Sequence, residues 1–543
     1  MAGDRSSESA AHGEVDPRLE KFDHVVVLMM ENRSLDNLLG FLYPDGVTGN
    51  PMAGKTFEGV PEDWSNPVPA HAKDQPPDGS GRVFVSKTTD YKQPFPDPGE
   101  EYYHVNVQLF NQPNTNGKPT NSPPYNLPPE RPLPTPSMDG FVTDYIEKLG
   151  EAVSKPKDNP QSFKNYSQIM HCFDPDALPV LATLARDFAV FDHWHCSVPS
   201  QTWCNRAFWH AGTSFGRVNN SPFGEWFKHN GAPTIFNQIS DSNSHLSWKV
   251  YHDTPVVSLT NLIHFHALDR HEFHFHSLDK FFHDCKHGEL PSYSFLEPDF
   301  IFDHNDYHPS SAGWDLIDGK EDVGAVLLGE RLVAKVYNAV KDSMGKPGSN
   351  GKEGNTSQNT LLIITFDEHG GCADHVHPLT DIKPPDLGDL EHQEGFDFTR
   401  SGMRVPMIMI SAHIAPNTVI NEPMMHTSFL NTVQAKWGAE TSPDKFPPIS
   451  DRQQSDGMFT DVFTAPEPRP ASEWTPVVAP PLPEDAVIER PEEPLHDLQV
   501  SIIGGSAEML KAKGIEPPEF EATNKEEARK YLAEVERRLN EAD

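Results

Sequence analysis

Residues 24–34 read HVVVLMMENRS, an apolar run that ends abruptly in charged and polar side chains. The run is short, continuous and rich in valine, a pattern typical of a strand buried on both faces of a parallel sheet. Similar runs are LLIITF at 361–366, followed by DEHGG, and VPMIMI at 405–410, followed by SAH. Two further candidate strands are FAVF at 188–191 and WKVY at 248–251.

Helical patterns lie between these runs, as in GERLVAKVYNAV at 329–340. Strands alternating with helices predict an α/β sheet with helices on its faces. In open sheets of this kind the ligand site lies beyond the carboxyl ends of the strands. We therefore expect Glu31 and the pair Asp367 and Glu368 to meet at one edge of the sheet.

The remaining segments predict the domain organisation. A flexible N-terminus is expected over residues 1–20 and a catalytic domain over 21–463. Residues 44–137 are rich in Pro, Asn, Gly and Asp, which predicts a long irregular insertion draped over the sheet. Residues 464–543 predict a Pro-rich wrapping segment followed by a C-terminal helix.

Composition excludes several classes of function. Hydrophobic residues make up 36% of the 543 residues and no stretch approaches the roughly 20 apolar residues of a membrane-spanning helix, so integral membrane association is not expected. The formal charge of −36 would repel nucleic acid and anionic membrane surfaces. A phosphate substrate must therefore be captured by local contacts.

The N-terminus and the cysteines bear on cellular location. The first 24 residues are polar and acidic without an apolar core, which does not predict a secretory signal. The protein is expected to be cytoplasmic if this N-terminus is native, and secreted or periplasmic if a leader was removed. The five cysteines are odd in number and form no CxxC pair, so free thiols are expected rather than disulfides or a zinc cluster.

Three carboxylates and one amide follow the two best candidate strands: Glu31, Asn32, Asp367 and Glu368. Hard oxygen ligands in this number suit Ca²⁺, Mg²⁺ or Mn²⁺ better than softer metals. Acidic side chains are also common in solvated turns, and spacing alone favours neither interpretation.

A hydroxyl group precedes a candidate helix in SVPSQTWCNR at 197–206. Unpaired N–H groups and the positive dipole end at a helix N-terminus favour a bound phosphoryl group and an alkoxide, so Thr202 is a candidate nucleophile. The alternative is that Thr202 or Ser200 only caps the helix.

Several histidines are candidates for acid–base chemistry. His308 lies among turn-forming residues in NDYHP, where it can titrate, and His375 and His377 follow the proposed metal ligands. The run at 264–283 interleaves histidine with phenylalanine. It favours an aromatic-packed helical or loop segment near the site over a zinc site.

Taken together, these segments resemble the phosphoesterase family of bacterial phospholipases C and acid phosphatases. The motifs that carry the resemblance are HVVVLMMENRSLDNLLG, MDGF, LPVLATLARDFAVFDHWHCSVPSQTWCNR, GELPSYSFLEP, NDYHP, LLIITFDEHGGCADHVHP and RVPMIMISAHIAPNTVINEPMMHTSFLNTV, in the family's order across roughly residues 22–435. The resemblance implies a three-layer α/β/α sandwich of the alkaline-phosphatase-like type.

The resemblance also implies a mechanism. A single divalent metal ion would be held by Glu31, Asn32, Asp367, Glu368 and the hydroxyl of Thr202. Attack by Thr202 would give a phosphothreonine intermediate, and His308 or His377 would protonate the leaving alcohol. The implied activity is a phospholipase C acting on phosphatidylcholine-type diesters. The alternatives are an acid phosphatase acting on small monoesters, or a non-catalytic metal-binding scaffold.

Further site residues follow from the same resemblance. His104 stands where relatives place a phosphate-contacting histidine, and Asn205 and His375 are further candidates for binding substrate. The chain departs from the family pattern at Cys204, where a proline is usual, and at Tyr307, where many members have a second polar residue.

The substrate expectation follows from charge. An acidic chain without a basic amphipathic helix should adsorb to lipid through exposed aromatic residues, and the run at 264–283 is expected to line that entrance. A cationic choline head would be accommodated by acidic or aromatic groups. The sequence thus predicts preference for a zwitterionic choline diester, while metal identity and oligomeric state stay open.

Overall fold

The computed structural model describes residues 16–43, 55–112, 126–128, 130, 132–151, 160–309, 323–346, 354–484, 486 and 491–542. The strands are β1 His24–Met30, β2 Ser65–Pro67, β3 Arg82–Phe84, β4 Ser86–Thr88, β5 His171–Phe173, β6 Ala189–Phe191, β7 Trp194–His195, β8 Trp248–His252, β9 Phe275–Ser277, β10 Tyr293–Glu297, β11 Thr360–Phe366, β12 Met407–Ile410, β13 Thr418–Ile420 and β14 Met424–Met425.

The helices are α1 Leu35–Leu39, α2 Tyr102–Phe110, α3 Phe141–Glu151, α4 Phe163–Tyr166, α5 Leu181–Asp187, α6 Thr202–Ala211, α7 Phe223–His229, α8 Ile235–Asp241, α9 Leu259–Ile263, α10 Phe265–Leu268, α11 Leu278–His287, α12 Ala325–Lys341, α13 Thr427–Glu440, α14 Asp497–Ala512 and α15 Lys525–Ala542. Within the described ranges, no helix is both long enough and apolar enough to cross a membrane.

An eight-stranded sheet in the order β13-β6-β12-β11-β1-β10-β8-β9 forms the centre of the fold. β1 lies in its interior and pairs in parallel with β10 and β11. Successive side chains of a strand point to opposite faces, and every residue from Val25 to Met30 is buried. Both faces of the sheet are therefore covered, and the predicted α/β fold class is confirmed.

Strand direction decides which loops meet. β12 is antiparallel to both β11 and β6, so β6 runs in the same direction as β11. The chain consequently leaves β6 at the edge where β1 and β11 end, and the segment 192–201 carries it along that edge to α6. Ser411, which follows β12, lies at the opposite edge.

The segment predicted as an irregular insertion, 44–137, contains regular elements in its described part. β2 pairs with β3, β4 pairs with β5, and α2 packs on α3. Val105 and Leu109 of α2 are buried in a cluster with Phe141 and Val142 of α3. This packing fixes α2, and the residues just before it, on the body of the protein.

Both termini contain regular structure that was not predicted. Residues 16–20 belong to the predicted flexible N-terminus, yet Pro17–Lys21 form a 3-10 helix with Leu19 buried; residues 1–15 lie outside the described ranges. In the C-terminal segment, α14 was not predicted, and α15 forms the expected helix. The indole Nε1 of Trp203 donates to Ser501 Oγ of α14 at 2.8 Å, so this segment packs on α6.

The histidine- and phenylalanine-rich run at 264–283 forms α10, β9 and the start of α11. β9 is one of the two edge strands of the sheet and runs parallel to β8, with Phe275 opposite Val250. Phe273, which is 70% exposed, therefore lies beyond the amino-terminal ends of these strands. The expectation that the run lines an entrance to the site is wrong for this residue, because the carboxylates lie at the other end.

All five cysteines are buried and unpaired: Cys172, Cys196, Cys204, Cys285 and Cys372. Burial raises the pKa of the Cys285 thiol to about 12 and that of Cys372 to about 11. The predicted free thiols are confirmed, and those two stay protonated at neutral pH.

Candidate active site

The four predicted oxygen ligands converge at one edge of the sheet. Glu31 and Asn32 follow β1, and Asp367 and Glu368 follow β11. The register pairs Met30 with Phe366, so the two dipeptides leave the sheet side by side. All four side chains are fully buried, and the backbone N–H of Asn32 donates to Asp367 Oδ1 at 3.2 Å.

Backbone conformation explains the glycine that follows these ligands. Asn32 adopts a left-handed conformation with φ of 56°, and Gly370 has φ of 60°. A Cβ atom on Gly370 would lie 2.3 Å from Asn32 O and 2.5 Å from Asn32 Cβ. Only glycine allows β1 and β11 to end this close together.

Thr202 is the first residue of α6, and its side chain is buried against Glu31. Its hydroxyl donates to Glu31 Oε2 at 3.0 Å. The helix N-cap is Gln201, which makes no capping bond through its side chain, and Ser200 Oγ bonds to Asn219 Oδ1 at 3.2 Å. The hydroxyl of Thr202 thus faces the carboxylates and does not cap the helix.

Arg206 is a site residue that the sequence analysis missed. It lies one turn after Thr202 on the same helix face, a spacing that could have identified it. Its Nη2 donates to Glu31 Oε1 and to Met29 O, and its Nε lies 3.7 Å from Asp367 Oδ2. Arg206 therefore forms ion pairs with the carboxylates that follow β1 and β11.

Carboxylates are in excess around this arginine. Burial, together with the neighbouring Asp367, raises the pKa of Glu31 well above its usual range although Arg206 opposes the shift. Burial and the nearby Glu100 and Asp367 also raise the pKa of Glu368 well above its usual range. In the absence of a metal ion, burial, Asp497 and Glu101 also raise the pKa of Glu100, and its hydrogen bond from Gln201 opposes that shift. Crowding of this kind favours a bound cation.

Unpartnered atoms test whether a cation fits. Asn32 Oδ1, Asp367 Oδ2 and Glu368 Oε1 are buried and have no hydrogen-bond partner among the described residues. Buried polar atoms are normally satisfied, so three orphaned oxygens at one place need an explanation. Oxygen donors of this type match the preferences of Mg²⁺, Ca²⁺ and Mn²⁺.

His308 lies beside the amide of Asn32. Its Nδ1 is 2.8 Å from Pro309 O, an acceptor, so Nδ1 carries the proton and Nε2 faces Asn32 Nδ2 at 3.0 Å. Burial lowers the pKa of His308 to about 3, which makes the ring neutral. Tyr307 does not assist it, because its hydroxyl donates to Glu330 Oε1 at 2.7 Å.

His104 reaches the site through a buried hydrogen-bond chain. Its Nδ1 lies 2.6 Å from Asp144 Oδ1, and Asp144 Oδ2 accepts from Gln108 Nε2 at 2.8 Å. Gln108 Oε1 lies 2.9 Å from Nε2 of His369, the neighbour of Glu368. His104 thus supports the ligand segment, and its own Nε2 has no hydrogen-bond partner among the described residues.

Three predicted site residues have other partners. The Asn205 amide donates to Val198 O at 3.1 Å and to Ser200 O at 2.9 Å, so it shapes the loop before Thr202. His375 bonds to Asp36 Oδ2 at 2.6 Å. His377 is exposed, and its Nδ1 lies 3.0 Å from Pro378 O. Within the described part of the chain, none of the three makes a hydrogen bond or ion pair with the carboxylate cluster.

Three other groups, each with at least two buried members, bring possible metal ligands within 4.8 Å of one another, but each has a different explanation. In the group of Asp97, Glu100 and His308, Glu100 Oε2 and His308 Nε2 both already face the amide nitrogen of Asn32. In the group of His304, His308 and His496, the rings of His308 and His496 are stacked with centroids 4.1 Å apart and planes 27° apart. Because nitrogen lone pairs lie in the ring plane, stacked rings do not point at one ion. In the group of Asp36, Asp374 and His375, the guanidinium of Arg404 already supplies the cation.

The sequence model of the phosphoesterase family matches residues 22–440. Non-specific phospholipase C3 of Arabidopsis thaliana is 28% identical over 506 residues, which cover 89% of this chain and 81% of that protein. Non-specific phospholipase C4 of the same plant is 31% identical over 471 residues, covering 82% and 72%.

Two more distant matches are a bacterial phospholipase C and a sulfatase. Phospholipase C B of Mycobacterium tuberculosis is 24% identical over 292 residues, covering 48% of this chain and 50% of that protein. A sulfatase of known structure from Pseudoalteromonas sp. superposes with a TM-score of 0.28 at 14% identity, covering 54% and 68%, which is too low to compare the folds. The protein is a phosphoric ester hydrolase, and the chain belongs to the phosphoesterase family.

Proposed function

We propose that this protein is a metal-dependent phospholipase C that cleaves phosphatidylcholine-type diesters with Thr202 as its nucleophile. One observation carries the proposal: the Thr202 hydroxyl donates to Glu31 at the edge where Asn32, Asp367 and Glu368 present unpartnered oxygens. The names of the relatives support phospholipase C chemistry.

The proposed first step is attack of Thr202 Oγ1 on phosphorus. The hydroxyl proton passes to Glu31 Oε2, the oxygen to which it is already bonded. The bond from phosphorus to the diacylglycerol oxygen breaks, and the head-group phosphate stays on Thr202 as a phosphothreonine ester. Water then hydrolyses that ester, and Thr202 recovers its proton.

The leaving oxygen must take up a proton, and we assign this to His308. An anionic phosphodiester beside the ring would favour the protonated imidazole, which is neutral in its absence because of burial. Without substrate, His308 Nε2 accepts from Asn32 Nδ2 at 3.0 Å, so the ring gives up this contact when Nε2 takes the proton that it passes to the leaving oxygen. His377 is not retained in this role, because it is exposed and faces Pro378.

Glu31, Asn32, Asp367, Glu368 and Thr202 would hold the divalent cation. When bound, such an ion supplies positive charge toward the phosphoryl oxygens and favours ionisation of the Thr202 hydroxyl. Arg206 already contributes one positive charge through Glu31. The family and the orphaned oxygens together support a metal.

An acid phosphatase would use the same residues on small monoesters, so substrate decides between the two. The test measures release of product from phosphatidylcholine and phosphatidylglycerol in matched mixed micelles, and from p-nitrophenyl phosphate, with and without chelator. We expect phosphatidylcholine to be cleaved fastest and chelator to abolish the activity. Cleavage of the monoester alone would favour the phosphatase.

The nucleophile is tested by a matched pair of variants. Thr202→Ser keeps the hydroxyl and should retain activity within about tenfold, whereas Thr202→Ala should be inactive while remaining folded. A covalent phosphate on Thr202 would be trapped by rapid quenching and located by mass spectrometry. Turnover by Thr202→Ala at the wild-type rate would refute the assignment.

A further inference from the structure

Asn32 is the only amide among the proposed ligands, and the orientation of an amide decides what it offers a metal. Its oxygen binds a hard cation, whereas its NH₂ group has no lone pair to donate. Whatever holds the NH₂ group away from the cation therefore determines whether Asn32 can serve as a ligand.

Two acceptors hold that NH₂ group. Asn32 Nδ2 donates to Glu100 Oε2 and faces His308 Nε2 at 3.0 Å. The reversed amide would face its oxygen toward the Glu100 carboxylate and the bare nitrogen of His308, two repulsive contacts. Asn32 Oδ1 is consequently the atom left without a hydrogen-bond partner among the described residues.

Glu100 also contacts the segment that carries the nucleophile. It is 1% exposed, and its second oxygen, Oε1, accepts from Gln201 Nε2 at 3.1 Å. Gln201 directly precedes Thr202, and its own Oε1 accepts from Asn220 N at 2.9 Å. One carboxylate thus bridges a proposed ligand on β1 and the N-terminus of α6.

We propose that Glu100 is a positioning residue that directs the carbonyl oxygen of Asn32 toward the metal and ties it to the Thr202 segment. The inference rests on the proposed function, because it requires the metal site. It assigns a role to the segment just before α2, in the middle of what the sequence presented as an irregular insertion. Partners of this kind typically contribute 10- to 100-fold to metal affinity.

The test uses Mn²⁺ as a probe on full-length, chelator-treated protein, with affinity measured by calorimetric titration. Glu100→Gln has nearly the same shape but offers one oxygen and one NH₂ group, so either Asn32 or Gln201 must face a donor. We expect the Kd for Mn²⁺ to rise about 10- to 100-fold. Asp306→Asn, which replaces another buried carboxyl group near Glu31, should change it by less than about threefold.

A second variant restores the pattern of donors and acceptors. In Glu100→Gln combined with Gln201→Glu, residue 100 can accept from Asn32 and donate to residue 201, which still accepts from Asn220 N. We expect the double variant to recover Mn²⁺ affinity to within about threefold of wild type. If Glu100→Gln does not fold, the Mn²⁺ affinity of the double variant alone tests the inference. Weak Mn²⁺ binding by the double variant, or its failure to fold, would overturn the inference.

Failure of the inference and failure of the proposed function give different results. If the wild type binds no Mn²⁺, or Asp367→Asn binds it equally well, the metal site itself is refuted. If the wild type binds, Asp367→Asn does not, and Glu100→Gln matches the wild type, only the role of Glu100 is refuted. An equal loss in Glu100→Gln and Asp306→Asn would show a charge effect, which also overturns positioning.

Discussion

Arg206→Met should destabilise the metal-free protein, and bound metal should restore the lost stability. Arg206 is fully buried, donates to Glu31 Oε1 and stands 3.7 Å from Asp367 Oδ2. Methionine is similar in length and can keep the packing on Phe300, whose ring lies 5.1 Å from the guanidinium carbon. The substitution therefore removes mainly the charge and its hydrogen bonds.

The expected size follows from the burial of the pair. Removing one partner of a buried ion pair costs about 3–5 kcal/mol, because the other charge stays unpaired. The family match spans residues 22–440, and at about 2.1 cal/mol/K per residue its unfolding entropy is on the order of 0.9 kcal/mol/K. Arg206→Met should thus lower the melting temperature by about 3–6 °C.

The assay is differential scanning calorimetry of wild type and variant in chelator and in saturating Mn²⁺. A divalent cation replaces the missing positive charge, so Mn²⁺ should raise the melting temperature of the variant more than that of the wild type. Arg537→Met, which removes an exposed arginine paired with Glu534 and Glu541, serves as the control and should change little. Equal melting temperatures in chelator would refute the role of Arg206.

Three further outcomes follow from the structure. Gly370→Ala places a Cβ 2.3 Å from Asn32 O, so Mn²⁺ affinity and turnover should each fall at least about tenfold, as titration and rate measurements would show. His308→Gln should lower kcat about 100-fold, whereas His377→Gln should keep kcat within about threefold of wild type. A large loss in His377→Gln and a small one in His308→Gln would instead assign the general acid to His377. Burial raises the pKa of Asp456 from 3.8 to about 7, so the stability contributed by its protonated form is lost as the pH rises from about 4 through 7. Asp456→Asn, which stays neutral, should therefore gain on the order of 2 kcal/mol over wild type between pH 5 and 8 in urea unfolding.

The sequence predicted the parts of the fold whose physics is local. The runs that became β1 and β11 are apolar throughout because both faces of the sheet are covered, and the residues after them lie at one edge because parallel strands end together. The direction of β12 could not be predicted, because VPMIMI has the same composition whether its strand runs parallel or antiparallel. That direction places Ser411 away from the site.

The remaining misses depend on contacts between distant segments. Nothing near Glu100 indicates that it reaches Asn32, 68 residues away. His496 stacks on His308 and bonds to His304 at 2.8 Å, 192 residues away, from a segment that the sequence presented as a wrapping extension. Asn205 has the residue type of a phosphate ligand, but its amide is used by the backbone of its own loop. Arg206 alone had a local signal, its spacing from Thr202.

Charge next to the site supports a cationic head group. Three further carboxylates lie near Glu100, those of Asp97, Glu101 and Asp497. Lys148 is the positively charged side chain that interacts with all of them. A divalent ion at the five proposed ligands would neutralise the phosphate locally, while these acidic side chains would remain in excess beyond it. Beyond the phosphate, the glycerol of phosphatidylglycerol carries no positive charge that these carboxylates can attract. Choline carries one positive charge. These carboxylates would therefore favour a zwitterionic lipid once its phosphate is bound, which is the substrate that we propose.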